Sequence, residues 1–266
     1  MSWHELLRDG ARLRGFDGGH GPPVIFQHGL GGDEAQVAEV FPAAGFRRLT
    51  LECRGQGQSD AGDITGFSIA GFADDVLAFA GERGVKRFAI GGISMGAALA
   101  LRIAVKMPEQ VTALVLARPA WLWERAPRNM RVFVELAHFL RHGSREDFAA
   151  SATARRFAKE APDNLASLLK FFDRPDPVLT AQLLTAIASD GLGVSEDDVR
   201  SIQLPTLVIG NGIDLVHPLS HARELAAVIP GARFVEVTPK ASDRPRHAEE
   251  LRAALFEFLK HEGIQT

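Results

Sequence analysis

Six short β-branched or apolar runs, each separated from the next by a longer stretch, constrain this chain most. They are "PPVIFQHG", "FRRLTLEC", "VKRFAIGG", "VTALVLA", "LPTLVIGN" and "ARFVEVT". Helical patterns lie between several of them: Phe67 to Arg83, Met95 to Met107, Leu219 to Ile229, and Pro245 to about His261. Strand-helix alternation of this kind is the signature of a parallel sheet with helices packed on its faces, an α/β fold. Pro108 and Pro230 fall where a proline commonly follows a helix end.

The alternation breaks once. From Pro119 to about Gln203 the chain carries helical patterns such as "NMRVFVELAHFLRHG" and "DNLASLLKFFDR" and no convincing strand. Because the chain has to rejoin the same sheet at "LPTLVIG", this segment reads as a helical cap inserted into one core. The expected division is therefore 1–118 with 204–266 as the core and 119–203 as the cap. At 266 residues with 46% apolar content, the chain can bury such a core as one domain.

Composition narrows the function. A net charge of −3 carries no basic surplus of the kind a nucleic-acid or anionic-membrane binder needs, so neither partner is expected. No apolar run reaches signal-peptide or membrane-spanning length, which gives the expectation of a soluble cytoplasmic protein. The single cysteine, Cys53, excludes an internal disulfide, and no Cys or His cluster has zinc spacing, so no metal is expected.

The chemistry concentrates in "AIGGISMGAAL". A strand ends, a helix starts near Met95, and Gly92-Ile93-Ser94-Met95-Gly96 fits the G-x-S-x-G turn between them. Such a turn is so tight that the flanking positions tolerate almost no side chain, while the serine oxygen is held above the carboxyl edge of the sheet. The new helix also aims free N–H groups at any negative charge forming nearby. Ser94 is thus the candidate nucleophile. Upstream, His28-Gly29-Leu30-Gly31-Gly32 closes an earlier strand and can present the Leu30 N–H beside that of Met95 as a two-donor oxyanion hole. His28 reads as an organiser of this loop rather than a base. His28 and Gly29 are also expected at the substrate pocket, with Trp121 and Trp123, which follow the strand "VTALVLA", as further walls.

The chain resembles the α/β-hydrolase fold superfamily on four motifs in the family's order: His28-Gly29-Leu30-Gly31-Gly32, "ECRGQGQSD", Gly92-Ile93-Ser94-Met95-Gly96, and "GNGIDLVHP". The resemblance implies a mostly parallel eight-stranded sheet with helices on both faces, a helical cap, no cofactor, and nucleophile, acid and histidine in that order. Glu52 stands where the family has aspartate; it and Arg54 read as loop braces. Asp214, just past the strand "PTLVIGN", takes the family's acid position. Arg118 falls near the position some relatives use for an alternative acid and so closes that option.

The family's histidine, expected a few residues after the last strand, is missing. The corresponding residues are Lys240-Ala241. Three candidates for the base remain open. His247 lies about nine residues beyond the strand, in the first turn of the last helix, and reaching Ser94 from there requires a displaced loop. His217 follows Asp214 by three residues, a spacing at which the acid is expected to orient it poorly. Lys240 accepts a proton only if burial lowers its pKa far below the ordinary 10.4. The expected function is hydrolysis of an ester, lactone or related acyl bond of a small to medium substrate through Ser94. The alternative is a non-hydrolytic small-molecule-binding or regulatory protein on the same fold. Oligomeric state is not indicated.

Overall fold

The computed structural model describes residues 2–41 and 45–261. Eight strands form one sheet: β1 (Ser2–Arg8), β2 (Ala11–Gly19), β3 (Pro23–Gln27), β4 (Arg47–Leu51), β5 (Phe88–Ile93), β6 (Val111–Ala117), β7 (Thr206–Gly210) and β8 (Arg233–Glu236). Their spatial order is β1-β2-β4-β3-β5-β6-β7-β8. The first two pairings, β1 with β2 and β2 with β4, are antiparallel, and all later ones are parallel.

The β1–β2 hairpin lies outside the six apolar runs. It turns at Asp9-Gly10, both at positive φ (50° and 75°), where an Asp-Gly pair is the favoured two-residue connection.

Side chains of the central strands alternate between two apolar layers, as the period of a strand dictates. Ile25, Ile90, Leu114, Leu116 and Val208 face one layer, which also receives Phe72, Val76 and Phe79 of α2 (Ile69–Glu82), much of α3 (Met95–Lys106) and Leu225 of α10 (Leu219–Val228). Val24, Phe26, Ala113, Val115, Leu207 and Ile209 face the other, covered by Val37 of α1 (Glu34–Val40) and by Leu251 and Leu255 of α11 (Arg244–His261). Both faces of the sheet are therefore buried, as a parallel sheet requires.

Between β6 and β7 run α4 (Arg131–His142), α5 (Arg145–Ala149), α6 (Ala152–Glu160), α7 (Pro162–Leu169), a 3-10 turn (Lys170–Asp173), α8 (Pro177–Ala188) and α9 (Glu196–Arg200). Pro162 and Pro177 each stand in a first helical turn, where a missing N–H costs nothing. Phe133, Leu136, Leu168, Phe171 and Leu184 from these helices join the first apolar layer, so the inserted helices, called the cap below, pack continuously onto it.

Chain order reverses at β3. The chain leaves β3 through α1 to β4 on one side, then returns to β5 on the other. Open α/β sheets place their sites in the crevice outside the strand ends at such a point.

Candidate active site

Ser94 links β5 to α3 at φ 57° and ψ −110°, a strained conformation for a residue with a side chain. The surrounding glycines explain how the turn closes. A Cβ on Gly92 would collide with the backbone of Gly96. One on Gly96 would collide with the Gln27 carbonyl and stand 2.9 Å from that of His28. The Ser94 N–H donates to the Ala117 carbonyl at 3.0 Å, pinning the turn to the end of β6.

The loop after β3 lies against this turn. Gly29 N–H donates to Gln36 Oε1 at 2.7 Å, Gly31 N–H to Gln56 Oε1 at 2.7 Å, and Gly32 N–H to the Gly29 carbonyl at 2.9 Å. The Leu30 N–H has no such partner among the described residues. Met95 is the first residue of α3, where an N–H has no intrahelical acceptor. The Leu30 and Met95 N–H groups are thus left without a protein acceptor among the described residues.

His28 is fully buried. Its Nδ1–H donates to the Gly29 carbonyl at 2.8 Å and its Nε2 accepts the Cys53 N–H at 3.0 Å. Burial lowers its pKa, and both ring nitrogens are occupied in holding the loop.

After β7 the chain forms a tight loop around Asp214, whose Oδ1 accepts the N–H groups of His217 (2.9 Å) and Val216 (3.2 Å). This turn corrects the expectation that a histidine three residues past the acid is poorly oriented. Folding the His217 backbone onto the carboxylate also carries the ring back, so that Nδ1 lies 3.0 Å from both Asp214 oxygens. Nε2 then stands 2.8 Å from Ser94 Oγ. With Nδ1–H donating to the carboxylate, Nε2 is free to accept the serine proton.

The cap holds this loop. Asn164 Oδ1, on α7, accepts the N–H groups of Leu215 (2.8 Å) and Val216 (3.1 Å), and Asn129 Nδ2 donates to the Val216 carbonyl at 2.7 Å.

Arg118, at the end of β6, donates through Nη2 to Asp214 Oδ2 at 2.6 Å and through Nε at 3.2 Å. Sequence reasoning used Arg118 only to close an alternative acid position and missed this pairing. Burial opposes the Asp214 charge, but His217 and Arg118 beside it outweigh burial and keep its carboxyl well below the ordinary carboxylate range. For His217, burial leads and lowers the pKa, with Arg118 adding to it against the pull of Asp214. The imidazole is neutral at neutral pH, the state a general base needs.

His247 is buried in the first turn of α11. Its Nδ1–H donates to the Thr238 carbonyl at 2.9 Å, and neither ring nitrogen bonds Ser94. Lys240 occupies the slot where the resemblance expects histidine and pairs with Asp163 of α7 at 3.2 Å. Burial leads in lowering its pKa, with Arg118 reinforcing it.

Ser94, His217, His247, Lys240, Leu30 and Gly29 share one cavity of about 330 Å³, roofed by cap residues that include Phe133, Leu168 and Phe171. Three expected pocket residues lie elsewhere. His28 is beneath the loop, with its ring committed to backbone groups. Trp121 is fully buried and donates from Nε1 to the Asp190 carbonyl at 3.2 Å. Trp123 is partly exposed and does not border the cavity. The Trp121 bond to Asp190 carries that indole to the inserted helical segment instead.

Glu52 accepts the N–H groups of Gln58 (2.7 Å) and Glu34 (3.3 Å), and Arg54 forks onto the buried Asp75 at 2.6 and 3.0 Å, so both hold loops away from the cavity. Burial raises the Cys53 thiol pKa strongly, which leaves it inert. Among the described residues, no group of three or more His, Cys, Asp or Glu is placed to hold a metal ion, and no helix is long and apolar enough to cross a membrane.

The alpha/beta hydrolase fold family matches residues 22–242. The chain belongs to that family. It is 29% identical over 230 residues to the Klebsiella pneumoniae (strain 342) protein named "Putative carbamate hydrolase RutD", spanning 81% of this chain and 82% of that one. It is 32% identical over 268 residues to the dihydrolipoyllysine-residue acetyltransferase component of the acetoin cleaving system of Pseudomonas putida, across 94% of this chain and 67% of that one. The enol-lactonase from Burkholderia xenovorans LB400 superposes with a TM-score of 0.73 at 24% identity, covering 97% of this chain and 100% of that one, a likeness of fold.

Proposed function

We propose that this α/β-hydrolase is a serine hydrolase that cleaves an ester, lactone or related acyl bond of a small to medium organic substrate. The observation that carries the reading is the continuous relay from Asp214 to His217 Nδ1 at 3.0 Å and from His217 Nε2 to Ser94 Oγ at 2.8 Å. Ser94 Oγ attacks the carbonyl carbon while His217 Nε2 takes its proton. The Leu30 and Met95 N–H groups stabilise the oxyanion, and His217 returns the proton to the leaving group. Water then enters, gives a proton to the same nitrogen and adds its hydroxyl to the acyl carbon, and that nitrogen passes the proton to Ser94 Oγ as the bond to the acid breaks. Asp214 keeps the imidazole in its productive tautomer and stabilises the imidazolium without accepting the proton. His247 serves as cavity wall in this scheme.

The relative named as a putative carbamate hydrolase supports a carbonyl substrate. The position of His217 between Asp214 and Ser94 favours the hydrolytic reading over the non-hydrolytic alternative. The test is acid-quenched intact-mass analysis during turnover of 4-nitrophenyl esters and a lactone panel. The expected result is an acyl adduct mapped to Ser94, with neither adduct nor turnover in Ser94→Ala. Turnover that persists in Ser94→Ala, or a folded wild type that acylates with no member of the panel, overturns the reading.

A further inference from the structure

Five basic side chains border the cavity against one carboxylate, Glu39. Three of the five are matched: Arg118 by Asp214, Lys240 by Asp163 and Arg244 by Glu39. Lys170 and Arg174, at the two ends of the 3-10 turn, have no carboxylate within ion-pair distance among the described residues. Lys170 is exposed, so water solvates its ammonium. Arg174 is half-buried, and its bonds go to neutral acceptors: Nη2–H to the Gly55 carbonyl at 2.5 Å and Nε–H to Thr180 Oγ1 at 3.3 Å.

The carboxylates in its neighbourhood are engaged elsewhere. Asp173 is held by Arg145. Asp176 caps α8 by accepting the Leu179 N–H, and Asp33 caps α1 by accepting that of Gln36. Asp33 acts on Arg174 only through space. A guanidinium has five N–H donors, so three remain after the bonds to Gly55 and Thr180. The bond to Gly55 also ties the cap to the loop after β4, and the one to Thr180 holds the guanidinium against α8, so the direction of the fork is set before anything binds. A half-buried positive charge without a counterion is costly unless a ligand supplies one.

We propose that Arg174 is an anion subsite and that the substrate of Ser94 carries a carboxylate on its acyl chain, as in a half-ester of a dicarboxylic acid. This rests on the hydrolase reading, since Ser94 and Arg174 border the same cavity. One planar fork with one unmatched charge suits a carboxylate, which it grips through two parallel bonds, better than a dianionic phosphate.

Two esters that share a leaving group and chain length test it: 4-nitrophenyl pentanoate and mono-4-nitrophenyl glutarate, in which a carboxylate replaces the terminal methyl. Wild type is expected to favour the glutarate ester by tenfold or more in kcat/KM, and Arg174→Gln to cut that preference by at least tenfold. Arg174→Lys, which keeps the charge but loses the fork, is expected to fall between them and stands in if the glutamine variant does not fold. A wild-type preference for the pentanoate ester, or a preference unchanged by either substitution, overturns the proposal.

Calorimetric titration of glutarate into Ser94→Ala, with and without Arg174→Gln, reads the subsite without turnover. Binding weakened at least tenfold by the second substitution supports the subsite even if neither ester is hydrolysed, a result that would sink the hydrolase reading alone. Binding that ignores the substitution overturns the subsite whatever the esters do.

Discussion

Replacing Arg118 with methionine strips Asp214 of the guanidinium that donates to it twice and leaves its carboxylate side chain, 1% exposed, among the N–H groups of Val216 and His217 and the imidazole. Breaking a buried ion pair by removing one partner costs about 3–5 kcal/mol, because the surviving charge stays desolvated. A chain of this size loses roughly 2–4 °C of Tm per kcal/mol, so Arg118→Met is expected to melt about 6–20 °C below wild type at pH 7. The pH dependence carries the diagnostic sign. A carboxylate whose folded pKa is depressed contributes stability that is fully present above its unfolded value of about 3.9 and is lost as pH falls toward the folded value. Arg118 is one cause of that depression, so the gap between wild type and variant is expected to be widest above about pH 5 and to narrow as pH falls through about 4. Calorimetric melts between pH 3 and 8 measure both. A loss under about 1 kcal/mol at pH 7, below the range for a broken buried pair, or a gap that does not narrow in acid, refutes the assignment of Arg118 as the counterion that keeps Asp214 charged.

Three further outcomes follow from the same geometry. Gly96→Ala forces a Cβ onto the Gln27 and His28 carbonyls and displaces the loop that presents Leu30; its kcat/KM on 4-nitrophenyl acetate is expected to fall by about 10²-fold or more, the scale of losing one oxyanion donor. Asn164→Ala leaves the Leu215 N–H without its acceptor and weakens that of Val216, for an expected loss of about 1–3 kcal/mol read by thermal melts, together with faster amide exchange at both positions. Because burial and Arg118 lower the His217 pKa, the acid limb of the kcat/KM profile is expected below the ordinary imidazole value of 6.5, with activity lost as pH falls through the lowered value; a limb at or above 6.5 contradicts the described environment.

Strand-helix alternation and the Gly92–Gly96 pattern made the central sheet and the strand-to-helix turn that carries Ser94 legible from sequence, because each rests on local sterics. The β1–β2 hairpin carries an equally local signal in Asp9-Gly10 but lacks the apolar run that marks a buried strand. The position of His217 beside Ser94 was harder to read, because it depends on Asp214 folding the His217 N–H back onto its own carboxylate, which spacing alone does not disclose. Trp121 and Trp123 follow a strand end that borders the cavity, yet neither lines it, and Trp121 bonds Asp190 instead. Arg174 is 80 residues from Ser94 in sequence, and only the packing of the cap onto the loop after β4 brings it to the cavity and leaves its charge unmatched.

The central claim is that acid and base come from a single loop after β7, with Lys240 in the position where the family's histidine was expected. The second-order rate of Ser94 phosphonylation by a fluorophosphonate, followed by intact mass, tests it most directly, because that rate reports activation of the serine and needs no knowledge of the natural substrate. His217→Ala is expected to slow labelling by about 10²- to 10⁴-fold, the range that a general base supplies, while His247→Ala slows it by far less. Labelling that survives His217→Ala at the wild-type rate and collapses in His247→Ala would contradict the account and move the base to α11.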